Sequence, residues 1–215
     1  MGPVLCLVTD RRRFGAAWEP ALVERVRAAA RAGVHLVQVR ERDLDGGPMT
    51  RLTEQCVDAV RGTRARVLVN DRVDVALAAG AHGVHLRADS MDAARVRRMA
   101  PPAFLIGRSV HSAGEAVEVG RRGGLDYLIF GAVFETMSKP GREAAGLDEL
   151  AKVSAATALP VLAVGGISPP RAAGVARAGA AGIAAIGMFA DCPVGSLRGI
   201  VEQIATAFDT PGRVP

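Results

Sequence analysis

Pro160-Val161-Leu162-Ala163-Val164-Gly165-Gly166-Ile167 is an apolar, strand-like run that ends in two glycines, and Gly182-Ile183-Ala184-Ala185-Ile186-Gly187 is a second such run about one helix later. Successive buried strands that end in glycine, with a helix between them, are how an eightfold β/α barrel builds its phosphate site. Glycine suits that place because backbone N–H groups can then approach phosphate oxygens closely. The pair predicts a (β/α)8 TIM barrel that handles a small phosphorylated molecule. Gly165, Gly166, Ile186 and Gly187 are its expected phosphate contacts.

The same alternation fills the rest of the chain. Apolar runs at residues 4–8, 34–39, 67–69, 83–86, 104–106 and 127–130 precede the pair, and 161–164 and 183–186 complete eight predicted strands. Segments with helical spacing of apolar residues lie between them, at 21–30, 52–60, 73–79, 93–99, 113–119, 147–155, 171–178 and 197–208. Strands alternating with helices imply a parallel sheet with helical crossovers. An open doubly wound sheet carries its glycine-rich phosphate loop after the first strand. Here that strand ends in Thr9-Asp10-Arg11 and the glycine-rich turns come late, which favours the barrel. No stretch reads as a linker, so residues 1–215 are expected to form a single α/β domain.

Bulk composition excludes several classes. Of 215 residues 49% are apolar, enough for one sizeable core and against disorder. The net charge of +5 comes largely from arginines at helical positions, such as Arg95, Arg97, Arg98, Arg121 and Arg122, which read as solvated faces. Only Arg11-Arg12-Arg13 is dense, and Phe14 and Trp18 do not make a stacking platform, so no nucleic-acid partner is expected. Cys6, Cys56 and Cys192 lie far apart without metal-ligand spacing, which points to neither zinc nor disulfides. No leader or apolar run of membrane-spanning length is present in the sequence, so a cytoplasmic location without a membrane partner is expected.

The polar residues cluster where the predicted strands end. After the second strand, Gln38, Arg40 and Arg42 alternate onto one side. Paired arginines at a barrel mouth suit a phosphate or carboxylate, the alternative being ion pairs with Glu41 or Asp43. After the third come Asn70 and Asp71; Asp71 is read as a Mg2+ ligand, as a partner of Arg40, or as the cap of the helix beginning near Val73. His85 has apolar neighbours and reads as structural, and Asp89 or Ser90 as the cap of a helix at Met91. After the fifth, Ser109 and His111 share a face, and His111 is the side chain best suited to proton transfer near neutral pH. Ser112 with Glu115 reads as a capping box. After the sixth, Thr136, Ser138 and Lys139 place two hydroxyls and a cation in one loop, a set that suits phosphate or pyrophosphate.

These segments resemble a known family. VQVRER, VNDRVDVAL, GVHL, IGRSVHS, FGAVFETMSKPG, PVLAVGGI and GAAGIAAIG, in that order, are similar to the superfamily of thiamine-phosphate synthase and its relative TenI, the thiazole tautomerase. The resemblance covers nearly the whole chain and implies a (β/α)8 barrel and a homodimer. For the synthase branch it implies Mg2+ held by Asp71, with hydroxymethylpyrimidine pyrophosphate and thiazole phosphate as substrates. This chain departs from that pattern. Arg42 stands for the family lysine, and His85-Leu86-Arg87-Ala88-Asp89-Ser90 stands for His-x-Gly-Gln-x-Asp, so Ser90 takes the place of the second metal carboxylate. For the tautomerase branch the resemblance implies no cofactor and a histidine in an FGHVFET loop, where this chain has Ala132.

The motifs IGRSVHS, RER and FGxVFET look more like TenI. The expectation from sequence is therefore a TenI-like isomerase that aromatises a carboxythiazole phosphate, with His111 and Ser109 near the ring and Arg40 on its carboxylate. The alternative is the synthase, a transferase whose chemistry rests on charge stabilisation of a departing pyrophosphate. The third reading is a ligand binder that has lost its chemistry.

Overall fold

All eight apolar runs form strands that pair in parallel with their sequence neighbours, and the last closes on the first to give a barrel. The computed structural model describes residues 2–136, 141 and 143–209. The strands are β1 (Val4–Val8), β2 (Leu36–Val39), β3 (Arg66–Asn70), β4 (Gly83–Leu86), β5 (Leu105–Val110), β6 (Tyr127–Phe130), β7 (Val161–Val164) and β8 (Gly182–Ala185). Between and after them run α1 (Trp18–Ala32), α2 (Gly46–Ala59), α3 (Val73–Ala78), α4 (Ala93–Met99), α5 (Ala113–Arg122), α6 (Gly146–Ala155), α7 (Ala172–Arg177), α8 (Gly187–Ala190) and α9 (Leu197–Asp209). No helix among the described residues is long and apolar enough to cross a membrane.

Strand alternation divides the core in two. Cys6, Val8, Leu36, Leu68, Tyr127, Ile129, Leu162 and Ala184 fill the barrel interior. Their sequence neighbours, such as Leu5, Leu7, Val37, Val67 and Val69, pack in the layer between sheet and helices. Both faces of every strand are therefore covered, which is why the runs are apolar without a polar stripe. The same alternation carries Gln38, Asn70, His85 and Ser109 inward at the strand ends.

Of the boundaries that differ from the sequence reading, three have a clear local reason. β2 starts at Leu36 because the N–H of Val34 bonds Ala29 O at 3.0 Å as part of the left-handed Gly33 cap of α1. β5 runs on to Val110 through Gly107-Arg108-Ser109, which reads as a loop. Arg108 is buried there, and its guanidinium donates to the carbonyls of Ala88 (3.1 Å), Ser90 (3.2 Å) and Met91 (2.5 Å). α2 starts at Gly46 rather than near Leu52, since a proline in the first turn gives up an N–H that has no helical partner anyway. Two caps also move. Asp92, not Asp89 or Ser90, caps α4 through Ala94 N at 2.9 Å. Asp71 caps no helix, for α3 begins after Arg72 without a side-chain cap.

Candidate functional site

The strand ends enclose a cavity of about 480 Å³. Gln38, Arg40, Arg42, Asn70 and Ser109 line it on one side, and Thr136, Gly165, Gly166, Ile186 and Gly187 on the other. These ten residues, read as scattered positions at the ends of six different strands, thus meet at one hollow. Ser138 and Lys139 lie outside the described residues. His111 is not among the lining residues. It follows the end of β5, its N–H donates to Glu115 Oε2 at 2.7 Å, and its Nδ1 lies 3.4 Å from the same oxygen. The capping box of α5 thus closes one residue early: Ser112 Oγ accepts from Glu115 N at 3.2 Å, while Glu115 reaches back to His111.

At the cationic end, the acids nearest Arg40 and Arg42 are already engaged. Glu41 is buried and accepts from Thr9 Oγ1 at 2.5 Å and from Arg11 N at 3.0 Å. Asp43 pairs with the guanidinium groups of Arg11 (2.8 Å) and Arg12 (3.2 Å). Arg40 is half-buried, and no ion pair of Arg40 or Arg42 occurs among the described residues. Burial and the like charge of Arg42 pull the Arg40 pKa below its usual value, yet a guanidinium stays charged in any protein setting. The charges of Asp10 and Glu41 offset this only in part, and a partly desolvated cation without a direct ion pair is costly unless a ligand brings an anion. Gln38 Nε2 donates to Asn70 Oδ1 at 2.9 Å, which fixes both amides beside the arginines. Of the dense arginine run, Arg13 also reaches the cavity wall and pairs with Asp191 there, whereas Arg11 stacks on Trp18.

The opposite end is mainly backbone, with the Arg13–Asp191 pair beside Gly187. Gly165 (φ +100°) and Gly166 (φ +60°) occupy the left-handed region that favours glycine. No intramolecular hydrogen bond from either N–H is present among the described residues. The Gly166 carbonyl instead accepts from Arg171 Nη1 at 2.5 Å, and that guanidinium lies over the Phe134 ring, 4.5 Å from its centroid.

Between the two ends lies a neutral polar row centred on His85, which reads from sequence as structural. His85 is buried, with Nδ1 3.1 Å from the Tyr127 hydroxyl and Nε2 2.9 Å from Ser109 Oγ. Tyr127 fits because Gly107 lies beside it: a Cβ there would overlap the phenol ring. Burial, with the charges of Arg108 and Arg40, drives the His85 pKa down to about 3. Burial also holds the Tyr127 phenol well above its usual pKa. Both imidazole nitrogens are engaged and the ring stays neutral, so it positions Ser109 rather than carrying charge. The folded protein holds this proton only below about pH 3, whereas the unfolded chain takes it up near 6.5. Stability is then expected to fall as pH drops from about 6.5 toward 3, by at most about 1.4 kcal/mol per pH unit. Denaturant titrations of wild type and His85→Asn from neutral to acid pH check this. Equal acid slopes would remove the assignment.

Asp71 marks the edge of the cationic end. It is a non-glycine residue at φ +66°, a strained conformation of a kind that concentrates at functional sites. Its Oδ1 accepts from Ser90 Oγ, and its Oδ2 lies 3.7 Å from Arg87 Nη1. The same guanidinium places Nη2 2.6 Å from Asp89 Oδ2. For the Mg2+ that the synthase branch implies, this donor set is a poor fit. Among the described residues no three acidic, histidine or cysteine side chains converge. Asp71 and Asp89, the carboxylates of this corner, both face Arg87.

A sequence model of the family described as "Thiamine monophosphate synthase" matches residues 5–189. The chain is 39% identical to the thiamine-phosphate synthase of Roseiflexus sp. (strain RS-1) over 215 residues, 99% of this chain and 89% of that one. It is 34% identical to the thiamine-phosphate synthase of Chlorobium luteolum, over 95% of this chain and 94% of that one. The solved thiamine phosphate pyrophosphorylase from Pyrococcus furiosus superposes with a TM-score of 0.80 at 32% identity, covering 96% and 95% of the two chains. These relatives overturn the expectation of a TenI-like tautomerase. The site agrees with the correction: Ala132 lines the cavity with a methyl group, His111 lies away from it and His85 is neutral. With a closed eight-stranded barrel and relatives of this similarity along its whole length, the chain belongs to the thiamine monophosphate synthase (TMP-TENI) family.

Proposed function

We propose that this protein is a thiamine-phosphate synthase, which joins hydroxymethylpyrimidine pyrophosphate to thiazole phosphate. The observation that carries this reading is one cavity with guanidinium groups at one end, glycine turns at the other, and a histidine held neutral between them. Arg40 and Arg42, with Gln38 and Asn70, take the pyrophosphate; the turns at Gly165-Gly166 and Ile186-Gly187 take the phosphate of the thiazole. The cavity volume suits two small heterocycles held between those ends.

In the reaction the bond from the pyrimidine methylene to pyrophosphate oxygen breaks, and the electron pair leaves with the pyrophosphate. The thiazole nitrogen supplies the pair for the new C–N bond. No proton has to be removed for bond formation, so a neutral His85 is no handicap. What the site must do is stabilise the charge that develops on the leaving group, and fixed guanidinium and amide donors in a half-buried site do this well. Ser109, held by His85, and the apolar walls at Ile129 and Val164 border the space between the two anions. Thr136 sits at the same wall, at the start of the segment that contains Ser138 and Lys139.

A mass-resolved assay with both substrates, each omitted in turn and with Mg2+ present or chelated, tests the reading. Thiamine phosphate and pyrophosphate in equal amounts are the expected products. Binding of both substrates without product would overturn the synthase and leave a ligand-binding relative.

A further inference from the structure

The corner where Arg87 stands belongs to two hollows at once. Arg42, Asn70 and Arg87 line the main cavity and also a smaller one of about 170 Å³, whose wall includes Asp71 and Glu41. Within that corner one guanidinium lies between two carboxylates, Nη1 toward Asp71 and Nη2 toward Asp89. Its own backbone is tied into the same group, since Arg87 N donates to Ser90 Oγ at 2.9 Å and Ser90 Oγ donates to Asp71. A divalent cation serving a pyrophosphate at this edge would use carboxylate oxygens of this kind. Here a fixed organic cation already faces them.

We infer that Arg87 is a built-in cation that contacts pyrophosphate oxygens directly, in place of a protein-held divalent metal. The inference rests on the pyrophosphate end proposed above and adds a residue and a metal requirement to it. Three features support it. Arg87 is the third arginine, after Arg40 and Arg42, on the same side of the cavity. Its side chain is about half exposed (48%), so a ligand can reach donors that Asp71 and Asp89 leave open. Asp71 is the more buried of the two acids (30% against 69%) and holds Arg87 at the cavity edge rather than competing from within it. Guanidinium suits this role because its planar donor fork matches phosphate oxygens.

The test uses inorganic pyrophosphate as probe and needs no turnover. Pyrophosphate is titrated calorimetrically into the full-length protein in EDTA and again in excess Mg2+. Wild type is expected to bind in EDTA, with Mg2+ changing its affinity by less than about tenfold. Arg87→Ala is expected to weaken binding in EDTA by about fivefold or more, because it removes charge-assisted hydrogen bonds. Arg98→Ala, an exposed arginine on α4, controls for net charge and should stay near wild type. Circular dichroism confirms that each variant is folded. A Mg2+ effect of about tenfold or more in wild type, no binding at all, or a smaller loss in Arg87→Ala overturns the inference. Because product formation is measured separately, a synthase that needs Mg2+ to hold pyrophosphate would sink this inference alone. Metal-free, Arg87-dependent binding without product would sink the synthase reading alone.

Discussion

Arg40→Ala is expected to lower kcat/KM for thiamine phosphate formation by about 10^2–10^3-fold, on the scale of losing one fixed donor to developing charge. The expectation follows from position and from what surrounds the side chain. Arg40 follows β2 directly, and its N–H is held by Thr9 Oγ1 at 2.9 Å. Thr9 is in turn tied to Glu41, so the neighbouring acid serves the backbone frame and not the guanidinium. The side chain therefore lines the cavity without an ion pair among the described residues, with Asp10 and Glu41 acting on it only through their charge. If its charge acts on the leaving group, most of the loss appears in kcat; if it only anchors the substrate, the loss appears in KM. Arg40→Lys should recover only part of the activity, because an ammonium keeps the charge but not the fork. A loss below about tenfold in Arg40→Ala would take this residue out of the transition state.

Gly166→Ala is expected to destabilise the fold by about 2–3 kcal/mol and to abolish most thiazole phosphate binding. An alanine at φ +60° is strained by about 1–2 kcal/mol from backbone conformation alone. The added Cβ would also overlap the Glu135 carbonyl oxygen and come within 2.8 Å of Phe134 Cβ. Neither neighbour can yield cheaply, because Arg171 clamps the turn from outside through the Gly166 carbonyl and the Phe134 ring. The segment after β6 would have to move, and Thr136 with it. Gly15→Ala separates the two effects. Gly15 has φ +68°, but a Cβ there meets nothing within 4 Å, so it carries the backbone strain alone. Thermal melts of the two variants and calorimetry with thiazole phosphate decide the matter. A Gly166→Ala protein no less stable than Gly15→Ala, with its ligand affinity intact, would remove the close-approach argument.

Much of this site was legible before any coordinates because a parallel barrel gathers strand ends, and strand ends can be read from apolar runs. Gln38, Arg40, Asn70, Ser109 and the two glycine turns all fall at such ends, and all line the cavity. His85 falls there too, but its surroundings in sequence hid it. An imidazole between apolar neighbours looks the same whether its partners are a distant tyrosine and serine or nothing at all. His111 failed in the opposite direction. By alternation it continues the face of Ser109, but the strand ends at Val110 and the capping carboxylate of Glu115 takes its N–H. The choice of TenI over synthase rested on short motifs, and identity along the full chain outweighs them.

The sequence by itself determined the barrel, the gathering of polar residues at its strand ends and the family, because strand periodicity, late glycine turns and motif order are local properties of the chain. Only the tertiary structure decided which charges are left over for a ligand. That depends on pairings across tens of residues: Glu41 with Thr9, Asp43 with Arg11, His85 with Tyr127, and Arg87 between Asp71 and Asp89. What an arginine can offer a ligand depends on how its neighbouring acids are engaged, and no window of sequence shows where those partners are.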